Sequence, residues 1–576
     1  MPRPLALECV MVRRPQQDMA VAAHPNPSPT INLLVVTARP DEERDVNYRT
    51  ISRPLIEAIQ QARVPINVEL LRPGTYEALE NHLETKSPGY YHIVHFDAHG
   101  GLATYEQITD EQRTADAILF KGRYGRGDIE PYAGVKAFLF LEGETPGQSD
   151  PVEAQELANL LTNQGIPVCI LNACQSAKQV QGTAREAGVA EGSPPAPLDP
   201  GSAAGGEIVQ RETSLGSRLM TAGMQMVVAM GYSVSVTAAT VLMQKVYAEL
   251  FAQQPLAEAI RLGRRELHND KTRKGWFNLT VDLEDWLLPV VYGNQSVQFD
   301  LQEMKPEEEE KYLEALASRY EFPEPTYGFF GRDLEILKIE KSLLRHNALL
   351  LRGMGGTGKT TLLNYLREWW QTTQFAKDVF YFGYDEKAYT LEQILHEMGQ
   401  RVYDRFAQAR FQAMSPSAQA IKLAQLLNSE PYVLMLDNLE SVTGQELAIQ
   451  NTLPQAERDK LKGFLQRLVG GKTKVVLGSR SGEDWLAEVY RDNRYALQGL
   501  DPQSRTELAE QILERHVGNR DRIAALRERY RLWAADDAAG RLPAGAGGGA
   551  GEPGAAAPSG DFGSAGCGRC EPGQRQ

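Results

Sequence analysis

Cysteine is scarce in this chain: there are five, at Cys9, Cys169, Cys174, Cys567 and Cys570, in 576 residues. So few thiols exclude a disulfide framework and fit a reducing compartment. Basic residues are also in deficit, 61 Lys and Arg against 75 Asp and Glu, for a formal net charge of -14. That balance argues against general nucleic-acid binding, whose affinity comes largely from cations displacing counterions. The chain has no run of about 18 apolar residues, so no membrane-spanning helix and no membrane partner are expected. The opening MPRPLALECVMVRR has neither the apolar core nor the cleavage site of a secretory signal. Together these absences predict a cytoplasmic protein.

What is present is ordinary globular composition, 42% hydrophobic and 24% charged, in a chain too long for one core. Residues 1–30 end in the Pro-punctuated HPNPSPT and are expected to be a disordered leader. From Ile31, strand-like and helix-like runs alternate: INLLVVTA, SRPLIEAIQQA, INVELL, YYHIVHFDA, AQELANLLTNQG and VCILNA. Alternation of this kind predicts an α/β fold with a parallel sheet covered by helices. An insertion, Thr104 to Asp150, carries the hairpin-like KAFLFLEG, and the Pro- and Gly-rich stretch from Lys178 to Arg211 reads as a loop. MQMVVAMGYSV reads as a further buried strand. The first domain is expected over 31–295, an acidic helix and linker over 296–327, and a second α/β domain over 328–520. Beyond Leu532 the sequence lacks aliphatic residues at any period, and 521–576 reads as a truncated or frameshifted low-complexity tail.

Two constellations carry chemistry. In the first, HIVHFDAHGG sets His99 just past one strand and VCILNACQSA sets Cys174 just past another. Ligands of open α/β sheets gather outside the carboxyl ends of strands, so thiol and imidazole would share one crevice. A cysteine protease needs that pair and backbone donors for the oxyanion, which the N–H groups of Gly100 and Cys174 would supply. His92, His95 and Asp97 lie close by in sequence. Strand alternation turns His92 away from His95, which disfavours a metal site and leaves His95 as a satisfied core histidine. Cys169, within PVCIL, reads as a buried inert thiol, and Cys567 with Cys570 as a chance spacing.

In the second constellation, NALLLRGMGGTGKTTLLNYLREWW holds Gly353, Gly355, Gly356, Gly358, Lys359, Thr360 and Thr361 between a strand and a helix. Glycines let such a loop turn its N–H groups around phosphates at a helix N-terminus. Lys359 would reach the β- and γ-phosphates, and Thr360 would hold Mg2+. PYVLMLDNLES ends an apolar strand in Asp437, the second expected Mg2+ contact. Glu440 would orient a hydrolytic water or be a surface carboxylate. Arg480, ending KVVLGSR, would contact the γ-phosphate or be a capping or salt-bridged arginine.

The segments ARPDEERDVNYRTISRPL, HIVHFDAHG, LNACQSA and LMTAGMQMVVAMGYSV resemble the CHAT family of caspase-like (clan CD) cysteine peptidases. FFGRDLEI with the phosphate-loop motifs resembles the NB-ARC-like STAND class of signalling ATPases. The resemblance implies a caspase-like α/β/α sandwich followed by a P-loop NTPase domain, with His99 and Cys174 as a catalytic dyad and Gly331 and Arg332 near the adenine. It further implies ATP or ADP with Mg2+ as cofactors, slow ATP hydrolysis, a protein substrate, an activating partner and homo-oligomerisation on activation. The expected function is a nucleotide-regulated cysteine endopeptidase of bacterial signalling or defence. Two readings compete with it: a non-proteolytic signalling scaffold with an ATP switch, and a plain ATPase with a structural N-terminal domain.

Overall fold

The computed structural model describes residues 4–14, 25–41, 56, 65–109, 129–145, 147–172, 214–230, 236–252, 254–274, 280–293, 297, 299, 301–444 and 451–517. Cys174, the 178–211 loop, most of the helix expected after Ile51 and the 521–576 tail lie outside them. The chain divides into two compact units, Met1–Arg515 and His516–Gln576, and both candidate sites lie in the first.

The N-terminal part of that unit is built on strands β1 (Ile31–Thr37), β2 (Ile66–Leu71), β3 (Ile93–Asp97), β4 (His99–Ala103), β5 (Lys136–Glu142), β6 (Ser149–Glu153), β7 (Val168–Asn172), β8 (Met226–Met230), the ribbon β9 (Thr272–Lys274) and β10 (Thr280–Asp282), and β11 (Pro289–Gly293). Six of these form one sheet in the order β11-β8-β7-β3-β1-β2. All neighbours in it are parallel except β11, which runs against β8. The continuous apolar runs INLLVVT and VCILN are what a parallel strand needs when helices cover both of its faces.

Side-chain alternation assigns those faces. Leu34, Val36, Val94, Phe96 and Leu171 pack with Leu79 and Leu83 of helix α1 (Tyr76–Glu84), Leu157 and Leu161 of α2 (Ala154–Asn163) and Leu219 of α3 (Leu215–Thr221). On the other face Leu33, Val35, Ile93, Val168 and Ile170 meet Leu242 and Val246 of α4 (Val236–Phe251) and Leu256 and Ile260 of α5 (Leu256–Asn269). The result is an α/β/α sandwich. The helices start on local signals, as where the Thr75 side chain accepts from Ala78 N–H to cap α1.

One detail departs from the sequence expectation and a second adds to it. The first thirty residues are not a loose leader where they are described. A short helix, Leu5–Glu8, buries Leu7 at 1% exposure, Arg261 donates to the Leu7 carbonyl at 2.7 Å, and Arg13 bridges to Tyr292 of β11. His99 stands just past β3, where it was expected, and also begins a new strand. After Ala98 the chain turns out of the main sheet into β4, which pairs antiparallel with β5, itself paired with β6.

The C-terminal part has strands β12 (Ala348–Arg352), β13 (Val379–Gly383), β14 (Val433–Asp437), β15 (Lys474–Ser479) and β16 (Arg494–Ala496), all parallel, in the order β13-β14-β15-β12-β16. Two helices, α6 (Asp333–Arg345) and α7 (Lys359–Thr372), flank the glycine-rich loop. The helix Pro306–Ala317 before them carries its glutamates exposed. Among the described residues no helix is long and apolar enough to cross a membrane.

Candidate functional sites

At the carboxyl edge of the six-stranded sheet, β1, β3 and β7 end side by side, with Thr37 in register with Asp97 and Asp97 in register with Asn172. Three side chains knit these tips together below the surface. Arg39 donates to Asp97 Oδ2 at 2.7 Å, and Asn172 Nδ2 to Asp97 Oδ1 at 3.3 Å. The same guanidinium also donates to the carbonyls of Ala38 and Asp97, at 2.9 and 2.8 Å. Asp97 is 3% exposed, and a buried carboxylate is tolerable only with such charged and hydrogen-bonding partners. His99 stands two residues beyond Asp97 and is half-buried, opposite Phe140 of β5; Gly100 stands opposite Leu139. Cys174 lies two residues beyond Asn172 in sequence, outside the described residues.

The neighbouring histidines differ in use. His92 precedes β3, and its Nδ1 accepts from Asn32 N–H at 3.2 Å. His95 is fully buried, with Nδ1 3.3 Å from the Tyr247 hydroxyl, and burial lowers its pKa to about 4. It is only half satisfied, contrary to expectation, because Nε2 has no hydrogen-bond partner among the described residues. Burial raises the pKa of the Cys169 thiol, which makes it a poor nucleophile.

The second site forms between β12 and α7. Gly356 and Gly358 have φ of +83° and +85°, a backbone that glycine adopts without strain. Lys359 is buried at the first turn of α7, and its Nζ donates to the carbonyls of Gly353 and Met354 at 2.7 and 3.2 Å. Burial lowers its pKa, while Glu440 and Asp437 oppose that shift. Thr360 Oγ1 donates to Asp437 Oδ2 at 2.6 Å, and Tyr381 donates to the same oxygen at 3.2 Å. Asp437 is completely buried, and desolvation raises its pKa against those hydrogen bonds. Thr361 follows on the same turn.

Glu440 is not a surface carboxylate: it is 2% exposed. It takes Arg480 Nε at 3.0 Å, Arg480 N–H at 3.1 Å and Ser479 Oγ at 3.2 Å. Arg480 thus makes a salt bridge, a feature that one of its two readings described. Its guanidinium also lies against the loop, since a β-carbon at Gly355 would fall 3.3 Å from Arg480 Cζ. Arg332, left-handed at φ 69°, reaches the loop from the other side, with Nη2 on the Thr357 carbonyl at 2.7 Å and Nη1 on that of Gln498 at 2.9 Å. Gly331 beside it, at φ 63°, leaves no room for a β-carbon against the Ser504 side chain.

Family models decide the architecture: the CHAT domain matches residues 10–294 and the NB-ARC domain residues 333–460. The chain carries a CHAT domain followed by an NB-ARC domain. A comparison with curated protein sequences finds no match. Among solved structures, the Aeropyrum pernix Orc1 protein in complex with DNA is similar at 20% identity and a TM-score of 0.23, over 32% of this chain and 50% of that one. The chain thus spans half of that structure's length, and at this score the likeness carries no argument.

The CHAT match takes in His99, Gly100 and Cys174 and begins ahead of Ile31, among residues that the structure packs against α5 and β11. The NB-ARC match takes in Gly353, Gly355, Gly356, Gly358, Lys359, Thr360, Thr361, Asp437 and Glu440. Gly331 and Arg332 lie just ahead of it and Arg480 beyond it. Sequence reasoning passed over Arg39, Asn172 and Tyr381, and considered Asp97 only as a metal ligand. Among the described residues no group of three His, Cys, Asp or Glu is arranged to hold a metal. Arg39 and Asp97 stand 58 positions apart, so only the folded sheet brings them together.

Proposed function

We propose that the CHAT domain is a cysteine endopeptidase with His99 and Cys174 as its dyad, and that the NB-ARC domain binds ATP or ADP with Mg2+ and regulates it. The observation that carries the peptidase reading is the register of β3 and β7. Asp97 and Asn172 are paired, and each lies two residues ahead of one reactive group. In this reading Cys174, as thiolate, adds to a peptide carbonyl, and the N–H groups of Gly100 and Cys174 hold the oxyanion. His99, bearing the thiol proton, gives it to the leaving amine, and water then releases the acyl group and restores the thiol.

The nucleotide reading rests on the meeting of Thr360 with Asp437 beneath a glycine loop. A hydroxyl and a desolvated carboxylate 2.6 Å apart at a helix N-terminus suit a hard cation beside phosphates. Thr360 and Asp437 would hold Mg2+, Lys359 and the loop amides the phosphates, and Arg332 and Gly331 would border the base. Bound there, nucleotide and metal supply a charge that differs between di- and triphosphate. In this reading Arg480, tethered by Glu440 beside Gly355, responds to that difference.

The experiment is covalent labelling of the full chain by an electrophilic peptide probe, with modification of Cys174 read by mass spectrometry in the presence of ATP, ADP or neither. We expect labelling to fall at least tenfold in His99→Ala, and its dependence on nucleotide to vanish in Lys359→Ala. Equal labelling of Cys174 with and without His99 would end the peptidase reading.

A further inference from the structure

Two ion pairs tie the two domains together at the helices that border the phosphate loop. Arg72, just past β2 of the CHAT domain, donates through Nε and Nη2 to both oxygens of Glu340 on α6, at 2.8 and 3.0 Å. Nη2 also donates to Thr373 Oγ1 at 2.8 Å, just past α7, and the guanidinium lies over the rings of Trp369 and Phe375. Glu340 in turn accepts from the indoles of Trp369 and Trp370 at 3.0 and 2.8 Å. One arginine therefore grips α6 and α7 at once.

The second pair stands one residue further along α6. Lys341 Nζ lies 3.1 Å from Glu142 Oε1 and donates to the Arg39 carbonyl at 3.0 Å. Leu70, Ile336, Leu337 and Trp369 line a cleft that Arg72, Glu142, Glu340 and Lys341 also border, so at this point charged groups make the crossing. Such groups hold a defined geometry, and neither partner is easily left alone once desolvated.

The far ends of these contacts are informative. On one side, α6 begins next to Arg332, whose guanidinium sits on the Thr357 carbonyl of the loop, and α7 begins at Lys359 itself. From Arg332 to Lys341 is about 14 Å of rigid helix. On the other side these two contacts of Lys341 lead to His99. Glu142 ends β5, in which Phe140 is the cross-strand partner of His99. Arg39, whose N–H donates to the same Glu142 Oε1 at 3.0 Å, clamps Asp97, two residues ahead of His99.

We infer that α6 is a transmission helix. Its Glu340–Arg72 and Lys341–Glu142 pairs carry the occupancy of the 353–360 loop to the antiparallel β4–β5 strand pair that bears His99. The inference rests on the proposed function in taking that loop as input and His99 as output. A shift of α6 that follows Arg332 must carry Lys341 with it, and Lys341 holds both supports of the histidine strand.

Amide hydrogen exchange of the full chain tests this, with ATP, ADP or no nucleotide. In the native chain we expect exchange in 99–103 and 136–142 to change severalfold on nucleotide addition. In Lys341→Gln, and in Arg72→Gln combined with Lys341→Gln, we expect that response to be lost while nucleotide affinity stays within about twofold, since neither residue touches the loop. A strand pair that ignores nucleotide in the native chain, or that still responds in a folded variant, overturns the inference. Lys341→Gln alone removes the less buried of the two pairs and serves should the double variant fail to fold. Because exchange does not depend on cleavage, the two proposals fail separately. A chain whose strand pair responds but whose Cys174 labels without His99 loses the peptidase and keeps the relay; the converse removes the relay only.

Discussion

Gly478 offers a sharp test of the nucleotide site, because nothing in the KVVLGSR segment itself explains the glycine. It lies on β15 beside the end of β14. A β-carbon built on it would fall well inside contact distance of Asp437 Oδ1, 3.0 Å from Asp437 Cγ and 3.1 Å from Leu363 Cδ1. Carbon atoms settle at about 3.5–4.0 Å, so Gly478→Ala must displace the carboxylate by roughly 0.5–1 Å and disturb its 2.6 Å hydrogen bond with Thr360 Oγ1. Overpacking of this kind costs about 1–3 kcal/mol of stability. Loss of a hydrogen bond to a charged group adds about 1.5–3 kcal/mol at the site itself, and about 1.4 kcal/mol is tenfold in affinity. We therefore expect a lower denaturation midpoint and a loss of at least tenfold in Mg2+-dependent nucleotide affinity. Gly463→Ala is the control. It lies inside the helix Gln455–Arg467 with nothing within 4 Å of its β-carbon position, and alanine there should stabilise by roughly 0.5–1 kcal/mol. Denaturant titration followed by circular dichroism, with nucleotide titrations with and without Mg2+, reads both. A Gly478→Ala chain with native stability and native Mg2+ dependence would show that β15 does not press on the Asp437 carboxylate.

Three more outcomes are expected. Asp437 has a folded-state pKa above its unfolded one, so the folded state binds the extra proton and stability falls as pH rises through that window. Asp437→Asn should therefore stabilise the nucleotide-free protein at neutral pH, read by denaturant midpoint, while weakening its Mg2+-dependent binding. Glu69 behaves in the opposite sense: burial alone would raise its carboxyl, but His82, Lys86 and Tyr91 hold it down at about 2. Its stabilisation is complete above the unfolded value of about 4.3 and is lost as pH falls from there toward 2, so Glu69→Gln should flatten that part of an acid titration of stability. Leu7→Ala should cost about 2–5 kcal/mol in denaturant unfolding, the usual cost of truncating a buried leucine; a neutral result would return the N-terminal segment to the status of a leader.

Much of both sites was legible because their residues are local in sequence. A phosphate loop between a strand and a helix is one short stretch, Gly353 to Thr361, and its chemistry is written in residue spacing. The strand-end placement of His99 and Asp437 could be read for the same reason, since an apolar run that stops at a polar group marks the carboxyl edge of a sheet. The environment of Glu440 could not be read. Its burial depends on Ser479 and Arg480, 39 and 40 positions away. The histidine strand was hidden in a similar way: β4 exists because β5, beyond a long insertion, supplies its hydrogen bonds, while HGGLA alone has little strand propensity.

Residue order was enough to establish the class of fold and the succession of a CHAT and an NB-ARC domain, and to nominate the groups of the proposed chemistry. Hydrophobic period, glycine placement and charge balance act over a few residues or over the whole composition. Which distant charges meet was settled by tertiary packing. Arg39 with Asp97, Thr360 with Asp437 and Arg72 with Glu340 are 58, 77 and 268 positions apart. A buried carboxylate must find its partner wherever the fold delivers one, and that choice is made by the packing of sheets and helices rather than by any local pattern.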